Sequence, residues 1–546
     1  YSHWTCTVAV FNTASGVTSE VSSKNNSDFK SSTTISSSNL EQLILLSKQD
    51  PRIQIVVVDS VQDSKNNQTN AIFEQFITQT NANYFCVLQP TMRLRPQAFD
   101  VLLAKIHGTS NIDVVYSDID AYLENGQRVE PQFKPDWNPE LFYSSALCPQ
   151  VLHSLSTGLF VIKRQYANSY LAKSSSTLLS SEFLPLSLLL HVVEQLQEQY
   201  QQPYSARISH IPLVLSHHLK RTLSQGQRDE ACELLKLHFK NLQTDATVVV
   251  NDAGAKVVYP IKLNQQAQLP LVSIVIPTRN NKALLQQCIE SIIHITAYSH
   301  YEIIVIDNGS TEETTLNYFN VLRRNPKIKV IRDNDTFNYS SLNNHAVALA
   351  SGDFITLMND DIQVIEANWL EEMLSYAQQS HIGAVGAKLY YPNYTIQHAG
   401  VILVGMLARH IHKGLSANDL GYCSRAQLAQ NFSALTAACL MVKKSIYEQL
   451  NGLNSTDLTV GWNDIDFCLR VKEAGYENIW TPHAQLLHHE SATRGQDISP
   501  EKRARAEKEN RYMQKTWGDQ MHQDPAYNPN LTDAYDDFSY AWPPRI

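Results

Sequence analysis

Clustered acids close several apolar runs in the C-terminal half of the sequence. Met358-Asn359-Asp360-Asp361 ends one such run. Adjacent carboxylates repel unless a cation or solvent screens them. A divalent ion with oxygen ligands, keeping open positions for phosphate oxygens, would relieve that conflict. Asp307-Asn308-Gly309-Ser310 closes a second run and Pro277-Thr278-Arg279 a third. A carboxylate such as Asp307 can accept a hydrogen bond from a nucleobase N–H or a ribose hydroxyl, and Gly309 allows the tight turn after it. Capping the next helix is an equal use for Asp307. GWNDIDFCLRVKEAG reads as a helix with Asn463 or Asp464 near its cap, Leu469 and Val471 facing inward and Gly475 as the stop. Asp464 and Asp466 lie at the positive end of the helix dipole. That position lowers a carboxylate's pKa and keeps it charged, available as a general base. Downstream, LLHHESATRG offers His488 or His489 as a neutral imidazole for a metal and Arg494 for a phosphate.

The elements that must hold these groups follow one another regularly. LVSIVIPTRN reads as a buried strand, KALLQQCIESIIHI as a helix and YEIIVIDNGS as a second buried strand. After another helix come a short strand KVIRD, an amphipathic helix around SSLNNHAVALA and the strand DFITLMNDD. This alternation predicts an α/β domain with a mainly parallel, Rossmann-like sheet covered on both faces. Ligands then sit beyond the carboxyl ends of the strands. The N-terminal half repeats the outline more loosely in TCTVAVFN, RIQIVVVDS and ANYFCVLQP, which reads as a diverged duplication, with a chance likeness between two α/β domains as the alternative. The expected division is a first domain at 1–250, a polar connector at 251–270 and a second domain at 271–546 with a C-terminal extension.

Taken in order from about Val272 to Gly495, these segments resemble the glycosyltransferase family 2 pattern of the GT-A fold. VSIVIPTRN and IDNGS are similar to the family's two nucleotide-binding strand ends, which implies donor contacts from Pro277, Thr278, Arg279, Asp307 and Asn308, with Asp360 and Arg494 added. LMNDDIQV resembles the metal-binding acidic motif often written D-x-D, with Asn359 in place of its first acid and Asp361 as the implied ligand. WNDIDFCLR resembles the acceptor-side acid motif, which implies that Asp464 is the catalytic base and that Trp462 and Asn463 flank the acceptor. HHESATRG resembles the segment giving a metal-ligating histidine, best matched by His488 with His489 close behind. QHAGVILVGMLARHIHKG is similar to an acceptor-side segment and brings in His410; LTAACLMVKK is similar to a sheet-core segment, and the tail DPAYNPNLTDAYDDFSYAWPPR to endings in surface-polysaccharide members. The resemblance implies an inverting, Mn²⁺- or Mg²⁺-dependent transfer of a hexosyl or deoxyhexosyl group. The donor would be a UDP-, dTDP- or GDP-linked sugar, and the acceptor a glycan or lipid-linked glycan in bacterial surface polysaccharide synthesis. A catalytically inactive carbohydrate-binding or scaffold protein is the alternative, and Asn359 is the residue that favours it.

The N-terminal half resembles the same family through VVYSDIDAYLENGQRVEPQFKPDWNPELF. Its Asp118-x-Asp120 string falls well after the strand that should carry a metal site. At that strand end stand Leu88-Gln89-Pro90-Thr91-Met92, with no acid, and Pro185, Leu186 and Ser187 occupy the place of the later acid motif. A pseudo-catalytic domain is expected, with Trp137 packed in the interior or stacked on a sugar. The Ser-rich stretch 22–38 reads as a polar loop.

Composition narrows the class further. The 546 residues are 43% hydrophobic and 18% charged, with 44 basic against 53 acidic residues and a net charge of −9. That balance disfavours a phosphate-tracking nucleic-acid binder. No G-x-G-x-x-G or P-loop string follows the first strand of either half, which disfavours dehydrogenases and kinases. Eight scattered cysteines without a C-x-x-C pair read as small buried hydrophobes in a reducing compartment. No signal-peptide pattern starts at Tyr1 and no apolar stretch is long enough to span a bilayer. A cytoplasmic location is expected, with peripheral contact at the inner face of the cytoplasmic membrane left open.

Overall fold

A computed structural model describes residues 6–12, 53–59, 82–88, 92–109, 111–150, 153–173, 183–200, 204–489, 499–535 and 537–545. The chain forms two compact α/β units. The first comprises Tyr1–Trp137, Ser145–Thr244 and Val250–Ala255; the second comprises Asn138–Ser144, Asp245–Val249 and Lys256–Ile546. The segment 251–270, read from sequence as a connector, contains the strand Ala255–Val258.

The second unit is built on a ten-stranded sheet. Ile328–Asp333, Tyr301–Asn308, Val272–Thr278 and Phe354–Met358 run parallel in that spatial order. Their β-branched runs are buried on both faces, as a helix-covered parallel sheet requires: Ile274, Val275, Ile303 and Ile304 are all 0% exposed. The helix Lys282–Ile295 covers the sheet with the stripe Leu285, Cys288, Ile289 and Ile292, spaced at the helical period. Beyond Phe354–Met358 the sheet becomes mixed. Cys439–Lys443 enters antiparallel, followed by Ile382–Tyr390, then Glu477–His488 parallel to it, and last the short Ile362–Val364. The parallel strand ends, the turn at Asn359–Asp361 and the end of Glu477–His488 therefore meet along one edge. Asn138–Ser144 joins this unit through a reciprocal pair: Asn138 Nδ2 donates to Asn431 O at 2.8 Å, and Asn431 N donates to Asn138 Oδ1 at 2.9 Å.

The first unit has the same strand order. Ile53–Asp59, Cys6–Asn12 and Tyr84–Leu88 are parallel neighbours, followed by antiparallel Phe160–Lys163, then Val114–Tyr122, then Ile208–Leu219 parallel to it, and last Arg93–Leu94. Every one of these strands has a counterpart of the same direction in the second unit, which supports a duplication. Asp118 and Asp120 lie on the counterpart of Ile382–Tyr390, away from the strand end that would match Asn359–Asp361. Both are buried and engaged: Asp118 accepts from Lys134 N (2.8 Å) and faces His210 Nε2 (2.9 Å), while Asp120 accepts from Arg128 Nε (2.7 Å) and faces His217 Nδ1 (2.5 Å). Pro185 and Leu186 are buried at the start of the helix Leu184–Gln199. Trp137 is half-buried and packs edge-on to Tyr116, with ring centres 6.5 Å apart. Gln89, Pro90, Thr91 and the Ser-rich stretch 22–38 lie outside the described residues.

Cys86, Cys148, Cys232, Cys288, Cys439 and Cys468 are buried, Cys423 is half-buried, and none of these seven is in a disulfide. Among the described residues no helix is long and apolar enough to cross a membrane.

Candidate active site

The strand ends at Thr278 and Asn308 divide their work differently from the sequence expectation. Asp307 is 1% exposed and already engaged: Oδ1 accepts from Ser310 N at 2.9 Å and Oδ2 from the Arg332 guanidinium, which also donates to Ser310 O at 2.9 Å. Asp307 thus holds the turn at Gly309, whose φ of 69° lies in the left-handed region. Asn308 is the strand-end residue with an open acceptor. Its Nδ2 donates to Asp335 O at 2.9 Å, and its buried Oδ1 has no hydrogen-bond partner. An unmet buried acceptor is costly and suits an N–H donor from a ligand. Pro277 is half-buried and Arg279 is exposed beside them. Thr278 turns inward, its Oγ1 donating to Asp360 Oδ2 at 2.7 Å.

Asp360 and Asp361, 8% and 5% exposed, point to different partners. Burial pushes the Asp360 carboxyl up to about 6, the Thr278 hydroxyl pulls it down, and the neighbouring Asp361 adds to the rise. Asp361 faces the end of Glu477–His488, where Ile362 is paired with His488. Asp361 Oδ1 and His488 Nε2 are 3.2 Å apart, close enough for an ion pair with a protonated imidazole, yet without hydrogen-bond geometry between them. His488 Nδ1 is buried without a partner. His489 N donates to Asp361 O at 3.0 Å, but its side chain points the other way, with Nε2 3.1 Å from Gln363 Oε1. Strand alternation decides the choice between the two histidines: only His488 faces the acid.

A carboxylate oxygen and an imidazole nitrogen 3.2 Å apart match two adjacent ligands of one ion, since cis ligands at about 2.1 Å lie roughly 3 Å from each other. Among the described residues no group of three His, Cys, Asp or Glu side chains is suited to hold a metal. Two protein ligands, with phosphate oxygens and water completing the shell, is a familiar arrangement for a hard cation. The residues present fit such an ion.

The acid opposite is Asp464, half-buried in the first turn of Asn463–Glu473. Its Oδ2 accepts from Ala437 N at 3.1 Å and its Oδ1 from Ile465 N at 2.9 Å. Burial nevertheless outweighs these bonds and raises its pKa. This corrects the expectation of a dipole-lowered acid, because desolvation of the carboxyl exceeds the effect of one helix end. Trp462, not Asn463 or Asp464, is the helix cap, with φ at 63° and Nε1 donating to Asn510 Oδ1 at 2.7 Å. Asn463 is only 3% exposed and its side chain donates to Val460 O at 2.8 Å, which shapes the turn before the helix. Asp466 is likewise structural, held by Arg470 Nε and Trp517 Nε1, each at 2.9 Å. Gly475, at φ 88°, ends the helix, and Leu469 and Val471 are buried as expected. His410 is half-buried, with its Nδ1 3.0 Å from Nδ1 of the fully buried His398, whose pKa is held far down by burial and then by His410 and His488. Arg494 lies outside the described residues.

Two groups had no sequence signal of their own, His398 and Tyr339. The Tyr339 hydroxyl donates to Asn359 Oδ1 at 3.2 Å and lies 3.4 Å from Ala437 O. Asn359 N also donates to Ala438 O at 3.1 Å. The Ala437–Ala438 backbone thus ties the acid turn to Asp464.

Residues 273–448 match the family model for glycosyl transferase family 2. The chain carries a family 2 glycosyltransferase domain. It is 36% identical over 518 residues to an uncharacterized protein of Sinorhizobium fredii, covering 91% of this chain and 53% of that one. It is 28% identical over 432 residues to the O-antigen biosynthesis protein RfbC of Myxococcus xanthus, covering 75% of this chain and 31% of that one. The chain thus spans about half or less of the length of these curated relatives. Among solved structures it is similar to a mannosyltransferase from Pyrobaculum calidifontis in complex with GDP-Man and Mn²⁺, at 17% identity and a TM-score of 0.32, covering 45% of this chain and 64% of that one. The matched span of the family 2 domain holds Thr278, Asn308, Asp361 and His410. Asp464 and His488 fall after it in sequence and are brought to its strand ends by the fold.

Proposed function

We propose that this protein transfers a hexosyl or deoxyhexosyl group from a nucleotide-diphosphate sugar to a glycan or lipid-linked glycan hydroxyl, with inversion, in bacterial surface polysaccharide synthesis. The observation that carries this reading is the convergence of Asp464 with the Asp361–His488 pair across the Ala437–Ala438 backbone. The relative named for O-antigen biosynthesis supports the class of acceptor.

Asp361 and His488 would hold a divalent cation, Mn²⁺ or Mg²⁺. When bound, such an ion neutralises charge on the diphosphate leaving group. Asn308 Oδ1 offers an acceptor to the nucleobase or ribose. Asp464 accepts the proton of the attacking hydroxyl, and its raised pKa makes it a stronger base than an ordinary surface aspartate. His410, beside His398, lies on the acceptor side. Attack on the anomeric carbon from the face opposite the diphosphate gives inversion in one displacement. The first unit, with Pro185 and Leu186 where the second has its acid helix start, is read as non-catalytic.

A second reading, an inactive glycan-binding or scaffold protein, is favoured by one residue, Asn359 in place of an acid. Turnover separates the two. A panel of UDP-, dTDP- and GDP-sugars would be assayed for transfer and hydrolysis with Mn²⁺ or EDTA, beside Asp464→Asn, Asp361→Ala, His488→Ala and His489→Ala. The expected result is metal-dependent turnover of one donor. Asp464→Asn should cost roughly 10²-fold or more in kcat, Asp361→Ala and His488→Ala should abolish the metal response, and His489→Ala should retain it. Failure of the wild type to bind any nucleotide would sink the transferase reading and leave the scaffold.

A further inference from the structure

Tyr339 is the first residue of the helix Tyr339–Ala348, and that helix start is fixed by its own contacts. Asn338 caps it, Oδ1 accepting from Ser341 N at 3.0 Å, while its Nδ2 donates to Ser455 O at 2.8 Å. Ser340 Oγ donates to Leu458 O at 2.5 Å, and Asn343 Nδ2 to Tyr339 O at 2.8 Å. These bonds send the phenol to the sheet edge, where its hydroxyl donates to Asn359 Oδ1 at 3.2 Å, with Ala437 O at 3.4 Å. Burial, then the charge on Asp464 and more weakly that on Asp361, keep the phenol protonated and able to donate.

The phenol constrains what Asn359 can offer. With Oδ1 occupied by the phenol, the amide cannot flip without losing that bond. Its Nδ2 therefore faces the other way, and it has no partner among the described residues. An aspartate at 359 could accept the same phenol bond, but it would place another carboxylate beside Asp361 and would have no hydrogen to donate. A carboxylate at this point selects a ligand hydroxyl; an amide N–H selects a ligand oxygen.

We propose that Tyr339 and Asn359 act as one neutral hydrogen-bonded unit that presents Asn359 Nδ2 to an oxygen of the donor's nucleoside diphosphate. This rests on the transferase reading and deepens it. Asn359 is then a specificity-determining contact and Tyr339 the residue that orients it. The substitution of asparagine for the first acid becomes a change in what the site recognises, not a sign of lost function.

The test is a coupling measurement on the intact chain. UDP, dTDP and GDP, each with Mn²⁺, would be titrated by calorimetry into wild type, Asn359→Asp, Tyr339→Phe and the double variant, with thermal unfolding run on the same samples. Each single change is expected to weaken binding of the preferred nucleoside diphosphate by roughly ten-fold, the effect of one unmet hydrogen bond. The double variant should be no weaker than the worse single, because the two residues act together. Should Asn359→Asp fail to fold, Asn359→Ala removes Nδ2 without adding charge and carries the same expectation. Equal or tighter binding by Asn359→Asp, or losses that multiply in the double variant, would overturn the proposal while leaving the transferase reading intact. A wild type that binds none of the three nucleotides overturns both.

Discussion

Asp464 combines two properties that rarely go together on a surface helix. Backbone N–H groups from Ala437 and Ile465 hold its carboxylate in place, and burial makes it more basic than those bonds alone would leave it. For a base that must be ionised to act, a raised pKa moves the acid limb of the rate profile upward. The kcat/KM of the transfer should therefore fall, as pH is lowered, at a pH above the usual aspartate range, and a pH series on the preferred donor would show it. A limb at an ordinary aspartate value would mean that bound substrate or metal cancels the burial, or that another group is the base. The strand-end types were legible in sequence because each polar group follows a β-branched run that has to stop. Other facts were not legible. His488 and His489 are neighbours in sequence, and only knowing which face of the strand meets Asp361 separates them. In the sequence Asp307 suits a ligand contact and a helix cap equally; the partner that occupies it, Arg332, comes from the adjacent strand. Burial, which sets the direction of the Asp464 shift, is a property of the packed site and not of the local string.

The helix that carries Asp464 is positioned by charge as much as by its apolar stripe. Asp466 is fully buried two residues after the proposed base, and it joins Arg470 on its own helix to Trp517 on the helix Pro500–Trp517. Asp466→Ala leaves the Arg470 guanidinium without its carboxylate and the Trp517 N–H without an acceptor. Breaking a buried pair on one side costs about 3–5 kcal/mol, and the partial exposure of Arg470 favours the lower end. A loss of about 3 kcal/mol in denaturant unfolding is expected, and a loss under about 1 kcal/mol would show that water replaces the carboxylate. The helix itself was readable from GWNDIDFCLRVKEAG, including its Gly475 stop. Its cap was not, because a tryptophan at positive φ is a conformation few sequences would suggest. Outside contacts over-determine it: the Trp462 indole is held by Asn510, and Glu509 accepts from Val460 N at 2.9 Å and Gly461 N at 3.1 Å.

At the scale of the whole chain, two sheets of one topology carry very different strand ends. The second gathers buried acids and unmet acceptors along its edge; in the first, Asp118 and Asp120, within Val114–Tyr122, are engaged by histidines, Arg128 and the Lys134 amide. Asp118→Asn is accordingly expected to lower thermal stability while leaving kcat for the preferred donor within about two-fold, because the change removes a buried ionic contact and no reacting group. A large fall in kcat without loss of stability would assign chemistry to the first unit. The repeated strand outline was legible from three apolar runs alone. The mixed character of each sheet was not, since Cys439–Lys443 and Phe160–Lys163 have the same apolar composition as their parallel neighbours and differ only in direction.

The brace formed by Glu509, Asn510 and Trp517 has a consequence for how such genes can exchange parts. A crossover placed where the matched family span ends, near residue 448, would separate the acid turn from Asp464, His488 and the helix Pro500–Trp517 that braces the start of Asn463–Glu473. A hybrid joined there would inherit a pocket from one parent and its alignment from another, with mismatched indole and carboxylate partners at the seam. Exchange that preserves activity has to carry the chain through at least Trp517 as a single heritable block, so donor choice and base geometry should travel together among natural recombinants.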